Sequence, residues 1–375
     1  MTTIDAAVAT AKYGLRVGTP AIKSVGPLAF GPDGILFVAD NAGATIYALG
    51  LDVADAVGEP RPIEVDRLDT RLAAYLGCAR EDVLIRDMSV HPASGEVYLS
   101  VMRGTGDAAV PVLIKLAPDG TLADVPLENL PFSRTAIEDA PAPDDARQDV
   151  RVLPQSGREG ELIEPRPGFK LRIARESLRT ATVTDMAYVD GALIVAGASN
   201  EEFSSTLRRI PFPFQGGARS NSLEIYHVSH GRYETASPIR TFVPFGQGDV
   251  LASYTCTPVV HLSLRDAAPG AQIKGRTVAE LGAGNTPIDM VKFARDGEEY
   301  LLVSNSRHPL FKVACKDIDG AEALTQPREP VGIPRETLPH KGVGRMANLN
   351  GSYVLMLQQD DAGNVDLRSY ASDSL

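Results

Sequence analysis

The sequence predicts an all-β fold, and within that class a β-propeller. Three observations carry the prediction. A strand–turn–strand pattern recurs along the chain, its repeats are spaced by roughly one propeller blade, and long helical periodicities are scarce in a chain without tryptophan.

The repeat is plainest in three segments that open on Asp-Met: DMSVHPASGEVYLSV from Asp87, DMAYVDGALIVAG from Asp185 and DMVKFARDGEEYLLVSN from Asp289. Each has a short run of period two, a turn centred on glycine, then an apolar run, which is the signature of a β-hairpin. The same pattern appears in PLAFGPDGILFVADN from Pro27, RTFVPFGQGDVLASYTC from Arg240 and RMANLNGSYVLML from Arg345. These starts are separated by 60, 98, 55, 49 and 56 residues. A four-stranded blade takes roughly 40–60 residues, so one gap is about twice too long.

That gap sets the blade count. A degenerate blade starting near Arg134, in SRTAIED, restores the period, and the sequence favours this seven-bladed reading. The alternative is six blades with residues 128–183 as a lid-like insertion. EDAPAPDDARQD (138–149) supports the insertion, because proline and clustered acids do not build a central strand. DVRVLP and FKLRIARE read as strands. TIYALGL continues the first blade, STLRRIPFPF and SLEIYHVS continue the one that starts at Asp185, and VDLRSYA is the last strand of the chain. The final blade then lacks a fourth strand, which the N-terminal YGLRVG is expected to supply, closing the ring and removing free sheet edges. A short helix is expected within 69–82. Residues 1–375 thus read as one domain.

Composition narrows the function classes. Of 375 residues, 43% are hydrophobic and 23% charged, a globular balance. The formal net charge is −11 and no basic run occurs, which argues against nucleic acid as a partner. No apolar stretch approaches the roughly 18–20 residues of a membrane span. The N-terminal segment has an early Asp5 and no Lys/Arg-led apolar core, so the expected location is cytoplasmic unless a leader has been removed. The three cysteines, Cys78, Cys256 and Cys315, form no C-x-x-C pair.

LAFGPDGILFVAD (28–40) and MSVHPASGEVYLSV (88–101) resemble the hairpins of the NHL, SMP-30 (gluconolactonase-like) and YVTN propellers. The resemblance covers about two-thirds of the chain and concerns the fold. It implies that first strands line a central channel and begin at the ligand-binding face. Asp87, Asp185, Asp289, Arg240 and Arg345 would then surround one mouth, with loops 40–43, 103–107, 199–203, 255–258 and 304–309. SMP-30-like and paraoxonase-like propellers hold a cation there that polarises a lactone or ester carbonyl. The expected ligands here are Asp87, Asp185, Asp289, Asn200 and Asn305, with Glu201 in reserve, and oxygen ligands favour Ca²⁺ or Mg²⁺. His308, Arg240 and Arg345 are the expected catalytic side chains. The competing reading of the repeated aspartates is structural, since an Asp at a strand start often accepts backbone N–H groups.

The remaining candidates are Cys256 and the histidines. Cys256 is a candidate thiolate nucleophile, or a soft-metal ligand with His261 or His308, which would admit Zn²⁺ or Cu. His261, in the alternating VVHLSL, reads as a satisfied core histidine, and His91 as a turn residue. In YHVSHGRYE (226–234), a two-residue turn at His230-Gly231 would set His227 opposite Glu234 on the outer strand of a blade. Three functions follow: a cation-dependent hydrolase or lactonase acting on a small molecule; a non-catalytic propeller binding a ligand or protein; and a Cys/His transition-metal redox or lyase enzyme.

Overall fold

A computed structural model describes residues 6–51, 61–155, 159–256, 258–265, 268–328 and 330–375. Among them, no helix is long and apolar enough to cross a membrane. Six sheets, antiparallel except where Leu223-Glu224 pairs in parallel with Ile273-Lys274, begin at the strands Leu28–Phe30, Val83–Val90, Asp185–Val189, Thr241–Phe245, Pro287–Arg295 and Val343–Leu349. All six repeat starts read from the sequence are therefore first strands or their immediate approach. Four of the six first hairpins turn where Asp-Gly or Asn-Gly stands. Asp190-Gly191 and Asp296-Gly297 have positive φ at both residues (47° and 77°; 53° and 79°), the geometry that matches the twist of paired strands.

Second strands such as Ile35–Asp40, Ala192–Ala198 and Asp249–Ser253 are buried at every residue. Each is sandwiched between neighbouring sheets, which is why they read as continuous apolar runs. Among the described residues the core is accordingly not one mass: six of its hydrophobic clusters each lie between two sheets. Phe37 and Ile46 of the first sheet pack with Leu193 and Val195 of the third. Leu36 and Val38 pack on its other side with Tyr98 and Leu113 of the second. The second sheet meets the sixth (Val97, Leu99 against Leu355, Leu357). The third meets the fourth, the fourth the fifth, and the fifth the sixth. These six sheets thus pack in a closed circuit.

The order around the ring is second, first, third, fourth, fifth, sixth, so the first two blades are exchanged relative to the sequence. The cause is the path of the chain. After Leu28–Phe30, Ile35–Asp40 and Thr45–Gly50, the chain leaves the first sheet. Val65 then pairs with Leu367, exchanging N–H···O bonds of 2.9 Å each way on the outer edge of the sixth sheet. The second sheet follows (Val83–Val90 to Leu122–Asp124), and Leu130–Ala136 returns as the outer strand of the first. The two ends of the ring are thus both completed by the segment 63–136.

This corrects three expectations. SRTAIED does not start a blade: Ser133–Ala136 belong to the outer strand of the first sheet. YGLRVG does not close the ring: Arg16–Gly18 pairs with Leu130–Phe132 as a fifth strand of that same sheet. The expected unit 128–183 divides: Leu130–Ala136 belongs to the first sheet, and residues 138–183, the insertion, carry a separate three-stranded sheet (Gln148–Leu153, Glu161–Arg166, Phe169–Ser177) with a small apolar centre of Val152, Leu171 and Ile173. The helix expected within 69–82 forms at Leu68–Leu76.

Candidate functional site

The three repeated aspartates stand at the channel, and each joins two blades. Asp87 accepts Leu28 N–H (2.7 Å) from the first sheet. Asp185 accepts its neighbour Met186 N–H on one oxygen and Phe242 N–H of the fourth sheet on the other, both at 2.8 Å. Asp289 takes Met290 N–H (2.8 Å) and Met346 N–H of the sixth sheet (2.7 Å) in the same way. The Asp-Met start thus places one carboxylate where it bridges its own strand to the next. Blades are stapled in pairs: second to first, third to fourth, fifth to sixth.

Arg345 lies among these acids. Its Nε is 3.7 Å from Asp87, its Nη1 donates to Ile288 C=O (3.0 Å), and the charges of all three aspartates raise its pKa although burial lowers it. One guanidinium does not neutralise three carboxylates. Burial, then repulsion from Asp289 and Asp87, pushes Asp185 up to about 8. Burial pushes Asp289 up to about 7 despite Arg345, and Asp87 is also raised, again chiefly by burial. An ion bound directly by all three would need oxygens within about 5 Å of one another. Among the described residues, the only three His, Cys, Asp or Glu side chains with ligand atoms that close, within 4.8 Å, are His227, His230 and Cys256.

The insertion lies across the same face. Its Asp149 forms a buried bidentate pair with Arg240 at the start of the fourth sheet: Nη1 donates at 2.7 Å and Nη2 to the other oxygen. Val152 N–H donates to Thr286 Oγ1 (2.9 Å) at the fifth sheet, and Arg86 of the second sheet meets Glu159 (3.2 Å). Arg179 donates to the Asn41 and Ala42 carbonyls in the 40–43 loop (2.9 and 3.0 Å). The fully buried Arg208 of the third sheet holds both ends of the insertion, donating to Asp139 (2.7 Å) and to Thr182 C=O (2.9 Å).

The other sequence candidates are dispersed. Arg240 is committed to Asp149, and its Nε donates to Thr255 Oγ1 (3.0 Å). Asn305 is buried and shapes its own loop, donating to Val303 C=O (2.9 Å) and accepting from Asn285 Nδ2 (2.9 Å). Asn200 and Glu201 are exposed, and their carbonyls receive Arg147 (3.3 and 2.7 Å). His308 stacks on Phe311 with ring centroids 5.7 Å apart, and burial, then Arg307 and Arg335, lowers its pKa. His261 is satisfied on both nitrogens, by Asp249 (3.1 Å) and Arg276 (3.0 Å). His91 accepts Ser94 N–H (3.0 Å) within its turn.

At YHVSHGRYE the contact is as expected and the register is not. His227 pairs with Arg232 and Ile225 with Glu234, so the turn spans 228–231 rather than two residues. A two-residue type I′ turn needs positive φ at both positions, and of His230 and Gly231 only Gly231 has it. His227 still reaches Glu234, Nδ1 to Oε2 at 2.8 Å, and His230 Nδ1 meets the other oxygen at 2.7 Å. Burial would raise the Glu234 pKa, but these hydrogen bonds and that from Arg232 lower it to about 2. Cys256 comes to the same place from the loop after Asp249–Ser253, in a left-handed conformation (φ 65°). The sequence offered His227 as a cross-strand partner of Glu234, His230 only as a turn residue and Cys256 with other histidines; Thr257, beside Cys256, lies outside the described residues.

Sheets packed in a closed circuit around a channel define the chain as a β-propeller. No protein-family model matches it, and no curated protein does. Among solved structures it is similar to a streptogramin B lyase (9% identity over 96% of this chain and 97% of that one, TM-score 0.36). It is similar to the β-propeller domain of Cps50 (Swd1) from Myceliophteria thermophila (10%, 92% and 84%, TM-score 0.38). A third is a putative oxidoreductase (glucose dehydrogenase) from Thermus thermophilus (12%, 95% and 100%, TM-score 0.35). Likeness at these scores carries no argument about activity, and the architecture rests on the sheets themselves.

Proposed function

We propose that this propeller is a non-catalytic binding scaffold that engages a ligand or protein partner through the face built by its insertion. The observation that carries this reading is the double commitment of the channel mouth. Its carboxylates accept backbone N–H groups that join blades, and the 138–183 insertion is fastened over it by the buried Asp149–Arg240 pair. A cation-dependent hydrolase or lactonase, the function the sequence put first, would need those acids on an ion and that mouth open to substrate. Three exposed large apolar side chains, Val150, Leu162 and Phe203, belong to the insertion and to the loop it is pinned to, which suits a contact surface.

Two measurements test this. Adding Ca²⁺ or Mg²⁺ should leave the melting temperature unchanged, because a ligand specific for the folded state would raise it. A saturable rise, accompanied by cation-dependent turnover of lactones or esters, would restore the hydrolase reading. Second, a photocrosslinker placed at Leu162 should capture a discrete partner in cells, whereas one at Asp296, in the hairpin turn at the far end of a first strand, should not. Equal labelling from both positions, or none from Leu162, would remove the binding face from the proposal.

A further inference from the structure

We infer that His227, His230 and Cys256 form a transition-metal site of the zinc type on the outer rim between the third and fourth blades. The proposal goes beyond the binding-scaffold reading and does not rest on it. A ring nitrogen of each histidine and the Cys256 sulfur already lie within 4.8 Å of one another. A zinc ion sits about 2.0–2.3 Å from such ligands, so modest side-chain rotation would bring all three into its sphere. Imidazole and thiolate together are the ligands that borderline and soft metals select over Ca²⁺ or Mg²⁺.

The second observation is an orphaned nitrogen. His227 is 3% exposed, and its Nε2 has no hydrogen-bond partner. Glu280 Oε2 stands 3.8 Å from it, beyond hydrogen-bonding reach. A carboxylate only accepts, so Nδ1–H of His227 donates to one oxygen of Glu234 and Nδ1–H of His230 to the other. In the neutral rings this leaves the lone pair on Nε2 in both cases. A carboxylate that fixes the tautomer and direction of ligating histidines is the usual outer partner of a protein-bound metal. Here one carboxylate serves two rings, and Arg232 (3.0 Å) anchors it in turn.

Neither Glu234 nor Glu280 is close enough to all three ligands to join the group, so among the described residues three His, Cys, Asp or Glu side chains supply ligands. The side chain of His230 is 42% exposed, which opens the fourth position to solvent. Three ligands with an open position are the arrangement of zinc sites that hold an exchangeable water or ligand.

The test uses the whole chain, stripped of metal and titrated with Co²⁺ as a spectroscopic stand-in, then with Zn²⁺. The expected result is one equivalent bound, a thiolate-to-cobalt charge-transfer band, tetrahedral d–d intensity, and displacement by Zn²⁺. Cys256→Ser should abolish the charge-transfer band while leaving the circular dichroism spectrum unchanged. His230→Gln should lose saturable binding, and Glu234→Gln should weaken it by about 10–100-fold. His227→Gln adds to the case only if it folds, and the two more exposed ligands decide the matter if it does not. Absence of stoichiometric binding, a spectrum without the thiolate band, or binding indifferent to Cys256→Ser would overturn the site.

Discussion

Replacing Arg240 with Met is expected to destabilise the protein by about 3–5 kcal/mol, the cost of stranding a buried charge. Asp149 is 5% exposed, and its carboxylate is held below the usual range because Arg240, and secondarily Arg151, outweigh the burial that would raise it. With Arg240 gone, the remaining cation is Arg151, whose Nε stands 3.5 Å away and whose guanidinium also serves Glu176. The carboxylate must then take a proton or reach water, and it can reach water only if the insertion lifts. Two readouts separate these responses. A melt reports the global loss, and limited proteolysis reports opening of Gln148–Ser177. The double variant Arg240→Met, Asp149→Leu should recover most of the stability, since it removes the pair rather than breaking it. A loss below about 1 kcal/mol, with no new cleavage in the insertion, would show that the pair does not fasten the lid. In the wild-type protein this contribution is present above the unfolded carboxylate pKa near 4, and is lost as the pH falls through the lower folded value.

How much of this was legible in the sequence depends on distance along the chain. The six first strands were, because alternation and glycine-containing turns, four of them Asp-Gly or Asn-Gly, are local chemistry that survives in any context. The exchange of the first two blades was not. LPFSRTA reads like a strand start, and nothing within it records that its partner is Thr45–Gly50, some eighty residues earlier. Val65 closes the sixth sheet through a single bridged residue, too little for periodicity to detect. The Asp-Met repeat announced itself, but its role lay in the neighbouring blade: the second N–H on Asp289 belongs to Met346. The metal candidates show the same limit. His227 and Cys256 were each visible, and only the turn at 228–231 and the loop at 256 bring them to one point.

The channel acids make the second large effect a matter of pH. Asp185 titrates near 8 and Asp289 near 7 in the folded protein, against about 3.9 in an unfolded chain. Between about pH 4 and 8 the folded state therefore binds more protons than the unfolded state. Their contribution to stability falls as pH rises through that window and levels off above it. The melting temperature should be lower at pH 8.5 than at pH 5. Groups whose pKa is depressed work in the opposite sense: carboxylates such as Asp149 and Glu234, whose contribution is complete by about pH 5, and the imidazoles of His91, His308 and His340, lowered by burial, whose contribution is complete just above the ordinary histidine value near 6.5. Arg345→Met sharpens the test, because it removes the cation that lowers Asp87 and Asp289. Its cost should be about 3–5 kcal/mol at pH 8.5, where the acids must ionise side by side, and far smaller at pH 5, where protons replace the guanidinium. Asp185→Asn should behave differently. It flattens the pH dependence but loses about 1–3 kcal/mol at pH 5, since an amide cannot accept both Met186 and Phe242 N–H groups on separate oxygens. A melting temperature flat between pH 5 and 8.5, or an Arg345→Met penalty equal at both, would mean that the three carboxylates are balanced by something other than protons, and would reopen the case for an ion in the channel.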